Sequence, residues 1–184
     1  MKRSHRNLVA IGIVLLLCCY ACGKPTEQIE AAQKAIDQAK EQHAEEFAAK
    51  EWNEAQQAWS QAQAAVEAGN YSQSSSLLLK AKSRAEHARD LAKGRREELL
   101  KEVTGLQKTI EIRYGTVKTD LQAAKISAKQ KKEIEDACTD IDQAIEKLKK
   151  QVESGDLAPA KYTAQTTLRS VYDQQKALEG AAKK

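Results

Sequence analysis

The chain has 184 residues, 30 Lys and Arg against 26 Asp and Glu, and only two prolines. Three of its four cysteines lie among the first 22 residues. If Cys22 is modified, Cys138 has no partner, which excludes an intramolecular disulfide in the body. Once Lys2, Arg3 and Arg6 leave with a leader, the formal charge falls from +4 to +1, so nothing global favours nucleic acid or acidic partners.

Residues 1–21 read as a targeting segment. Lys2, Arg3 and Arg6 supply a positive start, residues 8–17 are apolar with one glycine, and small Ala21 precedes Cys22. Residues 8–21 form an apolar stretch of 14, whereas a spanning helix needs about 20. A permanent transmembrane anchor is therefore the weaker reading. The segment resembles the lipobox of bacterial lipoproteins, in which a small residue precedes the acylated cysteine. Cys19 and Tyr20 depart from that pattern, and Cys19 itself is an alternative modified residue, with Leu16 three places before it. An ordinary cleaved signal or an uncleaved anchor also stays open. The resemblance implies diacylglycerol on the Cys22 thiol and an acyl chain such as palmitate on its amine. Gly23, rather than Asp, at the next position implies the outer membrane and a periplasm-facing body.

The body is rich in Ala, Glu, Gln, Lys and Leu, a composition of long helices. Pro25-Thr26-Glu27 starts the first, and Ile29, Ala32, Ile36 and Ala39 repeat at three and four. Trp52, Ala55, Trp59, Ala62 and Val66 continue the stripe. The phase slips between His43 and Trp52, where a kink or stutter is expected. Gly69-Asn70 ends that helix. A second helix over residues 71–127 carries Leu78, Ala81, Ala85, Ala88, Ala92 and then Leu99, Val103, Leu106, Ile110, Val117 and Leu121. Its interior glycines invite a bend, Gly94 first. Ser127 and Gln130 have capping-box spacing ahead of a third helix bearing Ile134, Cys138, Ile141, Ile145 and Leu148. Pro159 suits the first turn of the last helix, and residues 180–184 read as a frayed tail.

Val66-Glu67-Ala68-Gly69-Asn70 and Val152-Glu153-Ser154-Gly155-Asp156 are nearly one turn written twice, 86 residues apart. The predicted architecture is all-α: long antiparallel hairpins in a coiled-coil-like bundle of about four helices. Residues 22–98 form an alanine-rich hairpin and residues 99–184 a second one, packed on or continuous with it. Charge supports the first. Residues 24–69 balance at −5 and residues 80–96 at +5, and folding at Gly69-Asn70 sets Arg89 against Glu51 and Arg95 against Glu45.

Pro25, Ala31-Ala32, Ala35-Ile36, Ala39-Lys40, the helix over residues 51–66, Gly69-Asn70-Tyr71 and Ala81/Ala85/Ala88/Ala92 together resemble a family of short alanine-rich bacterial lipoproteins of unknown function. The resemblance covers residues 25–93. Some members are fused to a peptidoglycan-binding domain, whereas here residue 98 onward reads as more helix. Ser74, Ser75 and Ser76 stand where that family usually has alanine. No catalytic residue is established for the family, so none is carried over.

No residue set reads as an enzyme site, a phosphate-binding loop or a cofactor site. His43 with Glu46 has helical ligand spacing, but two side chains make a poor metal site, and His87 is lone. Cys138 lies mid-stripe and reads as a small buried hydrophobe. Trp52 and Trp59 share a face, which is either core or an aromatic ligand patch. With Arg89, Lys93, Arg95 and Arg96 they make the candidate ligand face. Lys184 resembles the terminal lysine by which the small murein lipoprotein joins peptidoglycan. The expected function is a lipid-anchored, non-enzymatic envelope spacer, scaffold or adaptor. Its partners would be the membrane, an envelope protein or peptidoglycan, with self-association open and no nucleic acid. The alternative is a binding module for peptidoglycan, lipid or another anionic polymer.

Overall fold

The computed structural model describes residues 23–182, so Cys22 and Lys184 lie outside the described residues. These residues form six helices and no strand: α1 Thr26–Glu41, α2 Ala44–Phe47, α3 Ala49–Glu67, α4 Tyr71–Ala123, α5 Ala128–Ser154 and α6 Leu157–Ala182. The all-α class is as expected. The chain divides into two compact units, one ending at Gly94 and one beginning at Arg95, and α4 contributes to both.

The first unit departs from the expected two-helix hairpin. One kinked helix was anticipated before Gly69, but the chain reverses instead. α1 ends at Glu41, and His43 adopts a left-handed conformation (φ 57°, ψ 41°) that few non-glycine residues take. α2 is a single turn, and Ala48 (φ −141°, ψ 44°) leads into α3. The reversal lays α1 antiparallel to α3, and α4 then returns alongside both. Ala32 of α1, Ala62 of α3 and Leu78 of α4 share one buried cluster. Ala39, Ala55 and Ala85 share the next. Arg84 of α4 meets Glu54 of α3 at 3.1 Å, close to the predicted hairpin register.

Alanine dominates this core. Ala32, Ala39, Ala55, Ala62, Ala81, Ala85, Ala88 and Ala92 are all fully buried. A methyl contributes only about 0.8 kcal/mol on burial, so cohesion depends on helices approaching near the ~8 Å lower limit. Ile36 and Leu78 are the larger buried side chains, and Trp52, Trp59 and Phe47 pack against the clusters from the side.

The second unit has a larger-grained core built from Val103, Ile110, Val117, Ile134, Ile141, Leu148 and Val171. Lys161 meets Glu102 at 2.8 Å, and Arg113 lies 4.5 Å over the Tyr172 ring. Both pairs are 59 residues apart, so α4 and α6 run in the same direction, with α5 opposed. Ser127 caps α5 in a capping box with Gln130. Pro159 does fall in the first turn of α6, where a missing amide proton costs nothing. α6 continues through residues 180–182 of the expected frayed tail, and residues 183–184 lie outside the described residues. Helical structure also runs through Gly94, Gly105 and Gly115, so none of them ends α4.

The two turns repeat bond for bond. Asn70 N–H donates to Ala65 O at 2.8 Å and Gly69 N–H to Val66 O at 3.1 Å. Asp156 donates to Gln151 O at 2.9 Å and Gly155 to Val152 O at 3.2 Å. Both are Schellman motifs, with left-handed glycines at φ 74° and 82°. Burial repeats as well. Ala55, Ala62, Ser74, Leu78, Ala81, Ala85 and Ala92 are buried, and so are Ile141, Leu148, Ala160, Ala164, Thr167, Val171 and Leu178, each 86 residues later.

Glycine substitutions should therefore divide by sign. Gly69→Ala forces a side chain into left-handed backbone and should lower stability by about 1–2 kcal/mol. Gly94→Ala meets nothing within 4 Å in a helix interior and should raise it by about 1 kcal/mol. Urea unfolding followed by circular dichroism checks both.

Candidate functional site

Trp52 and Trp59 project from α3, and each is half-buried against the alanine clusters. They are first of all packing residues. Trp59 touches both clusters and has a second exposure: with Lys24, Ile29, Gln63, Val66, Glu67 and Leu78 it lines a cavity of about 220 Å³. Trp52 is not among those lining residues. The cavity draws on the start of the chain's body, on α3 and on α4. Only the reversal at His43 brings these segments together, because it carries the C-terminal end of α3 back beside the start of α1.

Some of the basic residues of α4 have partners within the fold. Arg89 donates through Nη1 to Gln38 Oε1 at 3.3 Å and pairs through Nη2 with Asp90 at 2.8 Å. The expected partner Glu51 is displaced because α1, not a straight continuation of α3, supplies the neighbour. The hydrogen bond with Asp90 raises the Arg89 guanidinium further and lowers the Asp90 carboxyl. Lys82 meets Glu86 at 3.8 Å. These pairs are partly exposed, so each contributes about 0–1 kcal/mol. Lys93 is exposed on α4 in the first unit. Arg95 and Arg96 fall in the second unit, and Arg95 is exposed. Arg96 Nη2 lies 3.2 Å from where a Cβ on Gly155 would stand, so this guanidinium sits beside the turn after α5.

His43 and Glu46 do not pair as ligands. His43 is exposed and its role is the left-handed turn, its carbonyl accepting from the Glu46 and Phe47 amides at 3.0 Å. His87 is exposed on α4. Among the described residues no group of three or more His, Cys, Asp or Glu could hold a metal.

Cys138 is buried, in the position expected of a small hydrophobe. Around it the structure adds a cluster that the sequence stripe did not single out. Tyr114 Oη donates to Cys138 O at 2.7 Å. Lys118 Nζ lies 4.3 Å from the Tyr114 ring centroid and 2.9 Å from Asp142. Burial pushes both the Tyr114 phenol and the Cys138 thiol up, so each stays protonated at neutral pH. Such a thiol is a poor nucleophile. The signal in the sequence was Tyr114 standing on the apolar stripe between Ile110 and Val117.

These features define a helical protein whose candidate site is a small, partly open hollow beside Trp59. A family model described as a domain of unknown function (DUF4398) matches residues 27–102. That range takes in the first unit from the start of α1 and runs into the second. No curated protein and no solved structure matches the chain.

The Tyr114–Cys138 cluster carries a pH dependence. Both groups ionise less readily folded than unfolded. Their contribution is therefore complete below the unfolded thiol value near pH 8.5, declines above it, and declines further beyond about pH 10 as tyrosine ionises in the unfolded chain. Tyr114→Phe should cost about 1 kcal/mol at pH 7 and flatten the loss beyond pH 10. Urea midpoints measured from pH 7 to 10.5 would show it.

Proposed function

We propose that the protein is a lipid-anchored, non-enzymatic component of a bacterial cell envelope, held at the outer membrane by Cys22 with its helices facing the periplasm. It acts there as a spacer, scaffold or adaptor. The observation that carries this reading is the order of features at the start of the chain. A basic, apolar leader ends in Ala21-Cys22, and Thr26 opens the first helix only four residues after the thiol. Two or three acyl chains on Cys22 would give stable anchoring, where one gives only reversible binding. The helical units would present faces to an envelope protein, to peptidoglycan or to another copy of the chain. No helix among the described residues is long and apolar enough to cross a membrane.

A second reading, a binding module for lipid, peptidoglycan or another anionic polymer, draws its support from the cavity beside Trp59. The pairing of Arg84 and Arg89 within the fold takes support away from the basic-face version of it.

Mass spectrometry of the mature N-terminus should find Cys22 as the first residue, bearing diacylglycerol and a further acyl chain. Cys22→Ser should move the protein from the membrane to the soluble fraction. An unchanged distribution, or a mature chain starting elsewhere, would overturn the anchoring.

A further inference from the structure

Two hollows meet at Lys24. The apolar one is lined by Lys24, Ile29, Trp59, Gln63, Val66, Glu67 and Leu78, with a volume of about 220 Å³. The polar one is lined by Gly23, Lys24, Pro25, Thr26, Glu27, Gln28 and Ser75. Gln28 lines this hollow, and its Oε1 is buried without a hydrogen-bond partner among the described residues, which is costly for an amide oxygen. An apolar hollow, a polar hollow beside an unmet acceptor, and an ammonium group between them match an amphiphile: an alkyl chain on one side, and on the other an amide whose N–H donates to Gln28 while ester or amide carbonyls accept from Lys24.

Volume narrows the choice. Pockets for drug-sized ligands run to about 300–1,000 Å³, while a dry 150 Å³ cavity takes a molecule the size of benzene. At 220 Å³ the hollow seats a segment of one alkyl chain rather than a wall fragment. Reach identifies the source. Cys22 precedes Lys24 by two residues, at most about 7 Å of extended chain. A lipid on that thiol therefore leaves from the rim of both hollows, at an effective concentration in the millimolar range for so short a tether.

We propose that the cavity bordered by Ile29, Trp59, Val66 and Leu78 seats a segment of one acyl chain carried by Cys22 of the same molecule, with the lipid's polar linkage against Lys24 and Gln28. This rests on the acylation of Cys22. A chain held in the protein is withdrawn from the bilayer, so the cavity sets how many chains anchor the molecule at any moment.

Trp59 reports occupancy. In a Trp52→Phe background it is the single tryptophan. The acylated protein and its Cys22→Ser counterpart, both in the same amphipol, are titrated with 11-bromoundecanoate, whose bromine quenches tryptophan on contact. The Cys22→Ser protein should show saturable quenching of at least twofold. The acylated protein should resist it, because its own chain fills the site. Val66→Phe, which fills the hollow, should abolish quenching in the Cys22→Ser protein while its circular dichroism is unchanged. Absence of quenching in the Cys22→Ser protein, or equal quenching in both, would overturn the proposal. Mass spectrometry of the same samples separates that outcome from a failure of acylation itself.

Discussion

The first unit depends on close approach between helices lined with alanine. A buried methyl contributes little, and three helices that hold together on Ala32, Ala39, Ala55, Ala62, Ala85, Ala88 and Ala92 must bring their backbones near the steric limit. That constraint explains the left-handed backbone at His43. An unusual conformation at one non-glycine residue is tolerated because it lets α1 turn back and offer its alanine face to α3 and α4. It also explains Trp52 and Trp59. A core made of methyls leaves volume at its margins, and the two indoles cover it from the side.

The second unit solves the same geometry with different material. At the spacing of 86 residues, Ala55 gives way to Ile141, Ala62 to Leu148, Ala85 to Val171 and Ala92 to Leu178, all buried. The exchange is reversed where Leu78 stands opposite Ala164. The Schellman turn after α3 is remade after α5 with matching bonds and the same left-handed glycine. The repeat thus lies in the turn and in the pattern of buried positions rather than in side-chain identity, which is why the likeness along the helices was faint in the sequence. The larger side chains give the second unit more apolar burial per contact, and its core takes in Tyr114 with a satisfied hydroxyl.

What the candidate site offers follows from the same packing. Trp59 was legible as a bulky residue on an apolar face, but its cavity was not. Lys24, Ile29 and Leu78 lie far from Trp59 along the chain and reach it only after two reversals. Arg89, Lys93 and Arg96 are spaced four and three apart, the spacing of neighbours on a helix surface. Arg89 is drawn to Gln38 and Asp90, and Arg96 sits beside the turn at Gly155. The opposite charges of α3 and α4 do meet, at Glu54 and Arg84.

Local chemistry by itself determined the helical class, the stripes, and the helix ends at Gly69, Ser127 and Gly155. Each depends on a residue's own backbone preference or on a hydrogen bond within four residues of it. The phase slip near His43 also marked a break. What it lacked was direction, since a loss of periodicity says that a helix stops facing one way and not where the chain goes next. Only the tertiary structure chose reversal over a kink. The fit of one alanine face against two others decides it, and that fit is a sum over residues distant in sequence, invisible to any local pattern.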